Sequence, residues 1–238
     1  MFRVDLHTHT RFFHGFPAVG RRFDPVGARL LGRFARARGL DAVVTTNHDY
    51  YRELSAGAGL EVIPGIEVTT TRGHLLVVGP DPPTETEPGA LTPHETVALA
   101  HERDCAAIVA HPFRNSTVRA ADAPFDAIEI NGKGTESYEW VQRLARERDL
   151  PLVAGSDAHY PVEVGRAFTR VEADELTPES VVRAIEDRRV SAVVDRRPTQ
   201  RLLRAAYRFI HGQKGWLERS DWDPPGIGSP PGEHDNRP

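Results

Sequence analysis

The chain has 238 residues, 39% of them apolar and 27% charged, with a formal net charge of −4. That is enough chain to bury a full core in one α/β barrel or two small domains, and the charge balance gives no sign of nucleic-acid binding through bulk positive charge. One cysteine, Cys105, rules out a disulfide framework and a cysteine-rich zinc site. No run is long and apolar enough to span a bilayer and the N-terminus lacks a signal-peptide pattern, so the expected location is the cytoplasm.

Phe2 to Leu6 reads as the first strand. Asp24 to Arg38 reads as a helix, with Asp24 as its N-cap, Pro25 at the first helical position and Gly39 at the exit. Ala42 to Thr46 is a second strand and Glu61 to Pro64 a third; Val68 to Val78 reads as a hairpin turning near Arg72-Gly73. Asp81 to Gly89 is rich in Pro, Thr and Glu and reads as a surface loop. Thr92-Pro93-His94-Glu95 opens a helix with a capping box. Strands follow at Ala106 to Ala110, Ala127 to Ile130, Leu152 to Ala154 and Ala167 to Val171, with helices at Ser137 to Arg148 and Pro178 to Arg188. Val190 to Val194 reads as one more strand, Leu202 to Ile210 as a terminal helix, and the Pro-, Gly- and charge-rich tail from Asp221 as disordered. The expected organisation is a barrel domain over 1–195, a C-terminal helix over 196–220 and a tail over 221–238. About seven short strands separated mostly by helices, with no glycine-rich phosphate loop after the first, favour a barrel over an open sheet.

Asp5-Leu6-His7-Thr8-His9 sits where the first strand ends. Residues two apart in a strand point the same way, so His7 and His9 share a face and can grip one divalent metal. Asp157-Ala158-His159 repeats the spacing after a later strand. Asn47-His48-Asp49 follows the second strand, Glu67 the third, and His111-Pro112 the fourth. Metal-competent side chains thus recur at the C-terminal ends of strands, where barrel enzymes build their sites. His14, in the loop after His9, and His74, on the hairpin near Glu67, are weaker candidates on spacing. His94 and His101 fall on a predicted helix and read as solvated. Arg114, Lys133 and Arg11 lie close to these motifs and are candidates to hold phosphate. Glu129 and Asn131 share one face at a strand end, Asn131 placed to line a pocket and Glu129 to support a ligand from behind.

Together, Asp5-Leu6-His7-Thr8-His9-Thr10, Asn47-His48-Asp49, Gly65-Ile66-Glu67, Ala110-His111-Pro112 and Gly155-Ser156-Asp157-Ala158-His159 resemble the PHP (polymerase and histidinol phosphatase) family, in the family's order, over roughly Met1 to Val171. The resemblance implies an α/β fold, a distorted (β/α)7 barrel with a short C-terminal extension. It also implies two or three divalent metal ions (Mn, Fe or Zn). The implied ligands are His7, His9, His48, Glu67, His74, His111, Asp157 and His159, with Glu67 as the bridge and His14 at a third metal. Two positions depart from the nucleoside-phosphate branch of the family: His14 and Asn47 stand where that branch usually carries Asp. The cover between His74 and His111 is also short, so the site should be more open.

The implied activity is hydrolysis of a phosphate ester of a small molecule or nucleotide by a hydroxide bridging two metals. His159 or Asp157 would assist proton transfer, and Arg114, Lys133 and Asn131 would bind substrate. The alternatives are an exonuclease on short oligonucleotides, a metal-dependent amidohydrolase and a non-catalytic metal-binding module. An amidohydrolase would typically bridge its metals with a carboxylated lysine, yet no lysine precedes Lys133.

Overall fold

Nine strands form one sheet that curls almost closed. The computed structural model describes residues 1–10, 17–57, 59–114, 116–133 and 137–195. Strands β1 (Phe2–Thr8), β2 (Ala42–Thr45), β3 (Glu61–Thr70), β4 (Gly73–Val78), β5 (Ala106–Val109), β6 (Ala127–Asn131), β7 (Leu152–Gly155), β8 (Ala167–Val171) and β9 (Val190–Val194) lie in the order β7-β6-β5-β4-β3-β2-β1-β8-β9. Neighbours are parallel in β1-β2-β3 and β5-β6-β7; β4 is antiparallel to both strands beside it.

The barrel is drawn together at one end by backbone hydrogen bonds. Asp157 N–H donates to the His7 carbonyl at 2.7 Å and His9 N–H to the Ala158 carbonyl at 3.0 Å, so the exits of β1 and β7 meet. At the opposite end β8 pairs antiparallel with Phe2 to Val4, and the Thr169 hydroxyl accepts from Ala154 N–H at 2.8 Å. The motifs carried by β1 and β7 are therefore adjacent although some 150 residues separate them in the chain.

Helices α1 (Pro17–Ala37), α2 (Pro93–His101), α3 (Tyr138–Glu147) and α4 (Pro178–Glu186) cover the sheet. All four stop in the same way. Gly39, Asp104, Asp149 and Arg188 take left-handed backbone angles. The next N–H in each case reaches back five residues: Leu40 to Ala35, Cys105 to Ala100, Leu150 to Ala145 and Arg189 to Ala184. This satisfies the last free carbonyls of each helix and turns the chain into the next strand. The capping box at Thr92 is present, with Glu95 N–H donating to Thr92 Oγ1 and Thr92 N–H to Glu95 Oε2.

Val4, Leu6, Val44, Ile63, Leu76, Ile108 and Val153 form one apolar layer against Val181 and Ile185 of α4. Ile66, Val68, Val77, Ile128 and Ile130 form another beneath α2 and α3. Cys105 is buried in that second layer, and burial pushes its thiol up to about 11, which removes it from nucleophilic chemistry.

Two expectations are corrected. The first helix starts at Pro17, so Asp24 and Pro25 lie inside it rather than at its cap. A proline suits the first helical position because its missing N–H would be unpaired there, and Pro17 takes that place. The predicted third strand and first hairpin arm are one strand, β3. Glu61 to Pro64 pair parallel with β2, and Gly65 to Thr70 pair antiparallel with β4. Pro64-Gly65 reads as an interruption in sequence but marks a change of partner. The predicted C-terminal helix and tail lie outside the described residues. Among the described residues no helix is long and apolar enough to cross a membrane.

The change of partner requires glycine. A Cβ at Gly65 would stand 2.6 Å from Val44 Cγ1, 3.1 Å from Thr46 Cγ2 and 3.2 Å from the Val77 carbonyl oxygen. Gly65→Ala should cost roughly 1–3 kcal/mol, the range for overpacking a tight core, with about 2–4 °C lost from Tm per kcal/mol. An unchanged thermal melt would show that the strand can shift to admit the methyl group.

Candidate metal centre

Among the described residues, six imidazoles and two carboxylates gather near the strand exits. His7 is the last residue but one of β1 and His9 follows the strand; His48 lies beyond β2, Glu67 in β3, His74 in β4, His111 beyond β5, and Asp157 and His159 beyond β7. Glu67 is fully buried, and its two oxygens divide the histidines. Oε2 faces His7 Nε2 at 3.1 Å, His48 Nδ1 at 3.2 Å and His9 Nε2 at 3.3 Å. Oε1 faces His74 Nδ1 at 2.8 Å and His111 Nε2 at 3.0 Å.

Asp157 stands on the other side of His7 and His9. Its Oδ1 lies 3.4 Å from His9 Nε2 and 3.8 Å from His7 Nε2. It also meets Lys133 Nζ at 3.1 Å and His159 Nδ1 at 3.1 Å. Its Oδ2 accepts from the Arg114 guanidinium and from Asn131 Nδ2 at 3.2 Å. Asp157 thus joins the histidine cluster to two cations, the half-exposed Arg114 and the buried Lys133 side chain.

A further set of groups fixes these side chains. Glu129 is fully buried; its Oε1 faces His7 Nδ1 at 2.8 Å, and its Oε2 accepts the His111 backbone N–H at 2.9 Å. With Nδ1–H given to Glu129, Nε2 is the nitrogen that His7 turns to the centre; burial acts to lower this ring's pKa, but Glu129, Glu67 and Asp157 hold it well above the ordinary imidazole value. Gly155 makes room for this arrangement, since a Cβ there would come within 2.8 Å of Glu129 Oε1 and 2.3 Å of His7 Cβ. Asp5, also fully buried, accepts from Ser156 N–H and Gly165 N–H at 2.8 Å each and ties β1 to the segment carrying Asp157. Burial raises its pKa to about 6. Asn47 and Thr10 bond reciprocally, Thr10 N–H to Asn47 Oδ1 and Asn47 Nδ2 to Thr10 Oγ1, at 3.0 Å each. Asp49 accepts from Thr69 N–H at 2.8 Å and from the Thr69 and Thr86 hydroxyls, pinning the loop beyond His48 to β3.

The electrostatics suit cation binding. Burial pushes His48 down to about 3; burial with repulsion from His159 does the same to His9, and burial with repulsion from Lys133 to His159. These rings are neutral near pH 7 and carry a lone pair each. Burial acts to raise Glu67, but His48, His7 and His74 hold it well below the ordinary carboxylate range. Asp157 is held low in the same way by Arg114, Lys133 and His7. His7 Nε2 and His9 Nε2 stand 3.2 Å apart, and His74 Nδ1 is buried with no hydrogen bond despite its closeness to Glu67. Such atoms face common points rather than one another. The sets His7–His9–Asp157, His7–Glu67–His111, His48–Glu67–His74 and His9–His48–His159 each bring three donor atoms within 4.8 Å. Nitrogen and oxygen donors in these groupings fit divalent cations.

Of the residues singled out in sequence, His7, His9, His48, Glu67, His74, His111, Asp157, His159, Arg114, Lys133 and Asn131 come together here. His14 and Arg11 lie outside the described residues. His101 is remote from the site and pairs with Asp126 at 3.0 Å. Asp5 carried no role in the sequence reading; its only signal was its place two residues before His7 on the same strand face.

The model of a PHP-associated family region matches residues 139–190. No curated protein matches the chain. Among solved structures, PsfC from Pseudomonas syringae superposes with a TM-score of 0.65 at 21% identity, over 89% of this chain and 100% of that one. A two-domain protein from Bacteroides vulgatus, containing a predicted PHP-like metal-dependent phosphoesterase, gives 0.57 at 20% identity, over 81% of this chain and 64% of that one. The lesion-specific endonuclease PfuEndoQ from Pyrococcus furiosus gives 0.57 at 22% identity, over 78% and 56%. The nearly closed barrel is the fold that these proteins share with this chain.

Glu129 must accept two N–H groups at once, and a glutamine has only one carbonyl oxygen to offer. Glu129→Gln should therefore weaken divalent-metal affinity about 10–100-fold, read by competition with a chromogenic chelator, while the circular dichroism spectrum is unchanged. Metal affinity equal to wild type would remove Glu129 from its orienting role.

Proposed function

We propose that this chain, a PHP-family protein by motif order, family match and fold, is a metal-dependent hydrolase that cleaves a phosphate ester of a small molecule or nucleotide. The observation that carries this reading is a buried carboxylate, Glu67, with each oxygen turned to a different group of imidazoles. A carboxylate so placed can hold two cations side by side. Bound there, two divalent ions (Mn, Fe or Zn) would lower the pKa of a water between them and neutralise phosphoryl oxygens.

The chain's own residues divide the remaining work. His7, His9 and Asp157 would hold one ion beside Glu67 Oε2, and Glu67 with His48 and His74 the other, with His111 next to His74 on Glu67 Oε1. Neutral imidazoles leave such a centre with net positive charge, which favours an anionic substrate. Arg114 is the substrate-facing cation: its side chain is 39% exposed and already bound to a carboxylate oxygen, the geometry in which guanidinium also takes phosphate. Asn131 and Lys133 stand beside it on Asp157 and can orient the same group. His159, 3.1 Å from Asp157 Oδ1 and neutral near pH 7, would assist proton transfer as a base.

The amidohydrolase reading is weaker on the same geometry. Its bridging lysine has no counterpart here, because Lys133 is paired with Asp157 and Glu67 occupies the bridging place. Cleavage of oligonucleotides shares the phosphate chemistry and is an outcome of the test.

The test is phosphate release from phosphomonoesters, nucleotide bisphosphates and short oligonucleotides with added Mn²⁺, beside amide and lactone substrates. His7→Ala and Asp157→Ala should each lose on the order of 10²–10³-fold in kcat, as when a charge-stabilising group is removed from a site. Arg114→Ala should raise KM about tenfold, equal to about 1.4 kcal/mol of binding, with a smaller change in kcat. Turnover of amides or lactones with no phosphate release would reject the phosphoesterase reading.

A further inference from the structure

The loop that carries Asp157 and His159 leaves β7 in a backbone conformation that needs support. Asp157 has φ 52°, in the left-handed region that residues other than glycine rarely take. Such a residue keeps its angles only where the surroundings hold it. Ser156 N–H donates to Asp5 Oδ1, Asp157 N–H to the His7 carbonyl, and His9 N–H to the Ala158 carbonyl. These contacts fix the loop as far as Ala158.

Glu163 holds the next two residues. Its Oε2 accepts the His159 N–H at 2.8 Å and the Tyr160 N–H at 3.1 Å. A residue that only capped the short helix Pro161–Glu163 would take the Tyr160 N–H; the same oxygen also takes that of His159, one residue further back. Glu163 is 1% exposed, and its Oε1 stands 3.4 Å from Nη1 of Arg166, which is 2% exposed. Burial raises the Glu163 pKa, while Lys133, the His159 N–H and Arg166 act to lower it.

The turn from Glu163 to Arg166 is fixed to the barrel in its own right. Gly165 N–H donates to Asp5 Oδ2 at 2.8 Å, and the Arg166 carbonyl accepts from Asp195 N–H at 2.7 Å just before β8. The two oxygens of Asp5 therefore hold the start of the donor loop and the turn that holds its end. The other side of the centre stands on different supports: Glu67 and His74 lie on the β3–β4 ladder, and the loop beyond His48 is pinned by Asp49.

We propose that Glu163, backed by Arg166, is a positioning residue that sets the loop of Asp157 and His159, so that it governs the cation held by His7, His9 and Asp157 and leaves the one at Glu67, His48 and His74 unaffected. This rests on the metal-centre reading above and goes beyond it by giving the two positions separate supports.

The experiment is a Mn²⁺ titration of chelator-stripped full-length chain by calorimetry, with thermal melts of the same samples. Wild type should bind two equivalents tightly. Glu163→Ala removes both backbone contacts; Glu163→Gln keeps the shape but turns an amide NH2 toward either the backbone N–H groups or Arg166. Each should weaken one step about 10–100-fold, the range for groups that orient ligands, and leave the other within about threefold. Should Glu163→Ala fail to fold, Glu163→Gln carries the test. In double-mutant cycles, Glu163→Gln should add little to Asp157→Asn, which has already lost the donor being positioned, and should act in full beside His74→Ala. A loss spread over both steps, equal effects in the two cycles, or two unmoved steps in the Glu163 variants would overturn the proposal. No tight equivalent in wild type would overturn it together with the metal-centre reading. The predicted titrations with no phosphate released from any ester would count against the hydrolase reading alone.

Discussion

A charged carboxylate with no access to water is costly unless other groups compensate it. Glu67 is such a group: it is fully buried, and its charge is retained because imidazoles surround both of its oxygens. This constraint organises the rest of the site. Five histidines from three strand exits and one hairpin strand must reach one residue in β3, so β3 must run between β2 and β4 and bring Glu67 up through the middle. The partner change at Pro64-Gly65 does this, and the lack of a side chain at Gly65 lets Val44 and Thr46 pack against the bend.

The same logic extends outward. His7 can turn Nε2 toward Glu67 only if its other nitrogen is committed elsewhere, and Glu129 commits it. Asp157 can sit beside His7 only if the end of β7 is tied to β1, and Asp5 supplies that tie through Ser156 and Gly165. Two more buried carboxylates, Glu129 and Asp5, therefore hold the imidazoles and Asp157 in place. Around them Lys133 within the site and Arg114 at its rim return positive charge, where an anion would arrive. The centre is an alternation of negative and positive groups around the buried Glu67, Asp157 and Glu129, where each contact counts for more than it would in water.

Much of this was legible in the chain, and the reason is periodicity. A strand shows every second residue to one face, so His7 with His9 and Asp157 with His159 announce paired donor side chains at strand ends. The apolar runs place most strands within a residue or two of their observed bounds; β8 and β9 coincide with the sequence reading. The errors fall where local signals compete. Asp24-Pro25 carries a sound helix-start signal, but the helix begins earlier, with Pro17 at its first position. Pro64-Gly65 carries a sound strand-break signal, but the chain continues and only the partner changes. Contacts between distant residues, such as Glu129 with His7 or Lys133 with His159, follow from barrel closure, and no local pattern encodes them.

The central claim is that Glu67 is shared by two cations. Elemental analysis of the full chain purified without chelator, wild type beside Glu67→Ala, tests it most directly. The account predicts two tightly held divalent ions per chain in wild type, as a two-metal site requires, and less than one in the variant, because both positions lose their common ligand. Full metal content in Glu67→Ala, or none in wild type, would contradict it.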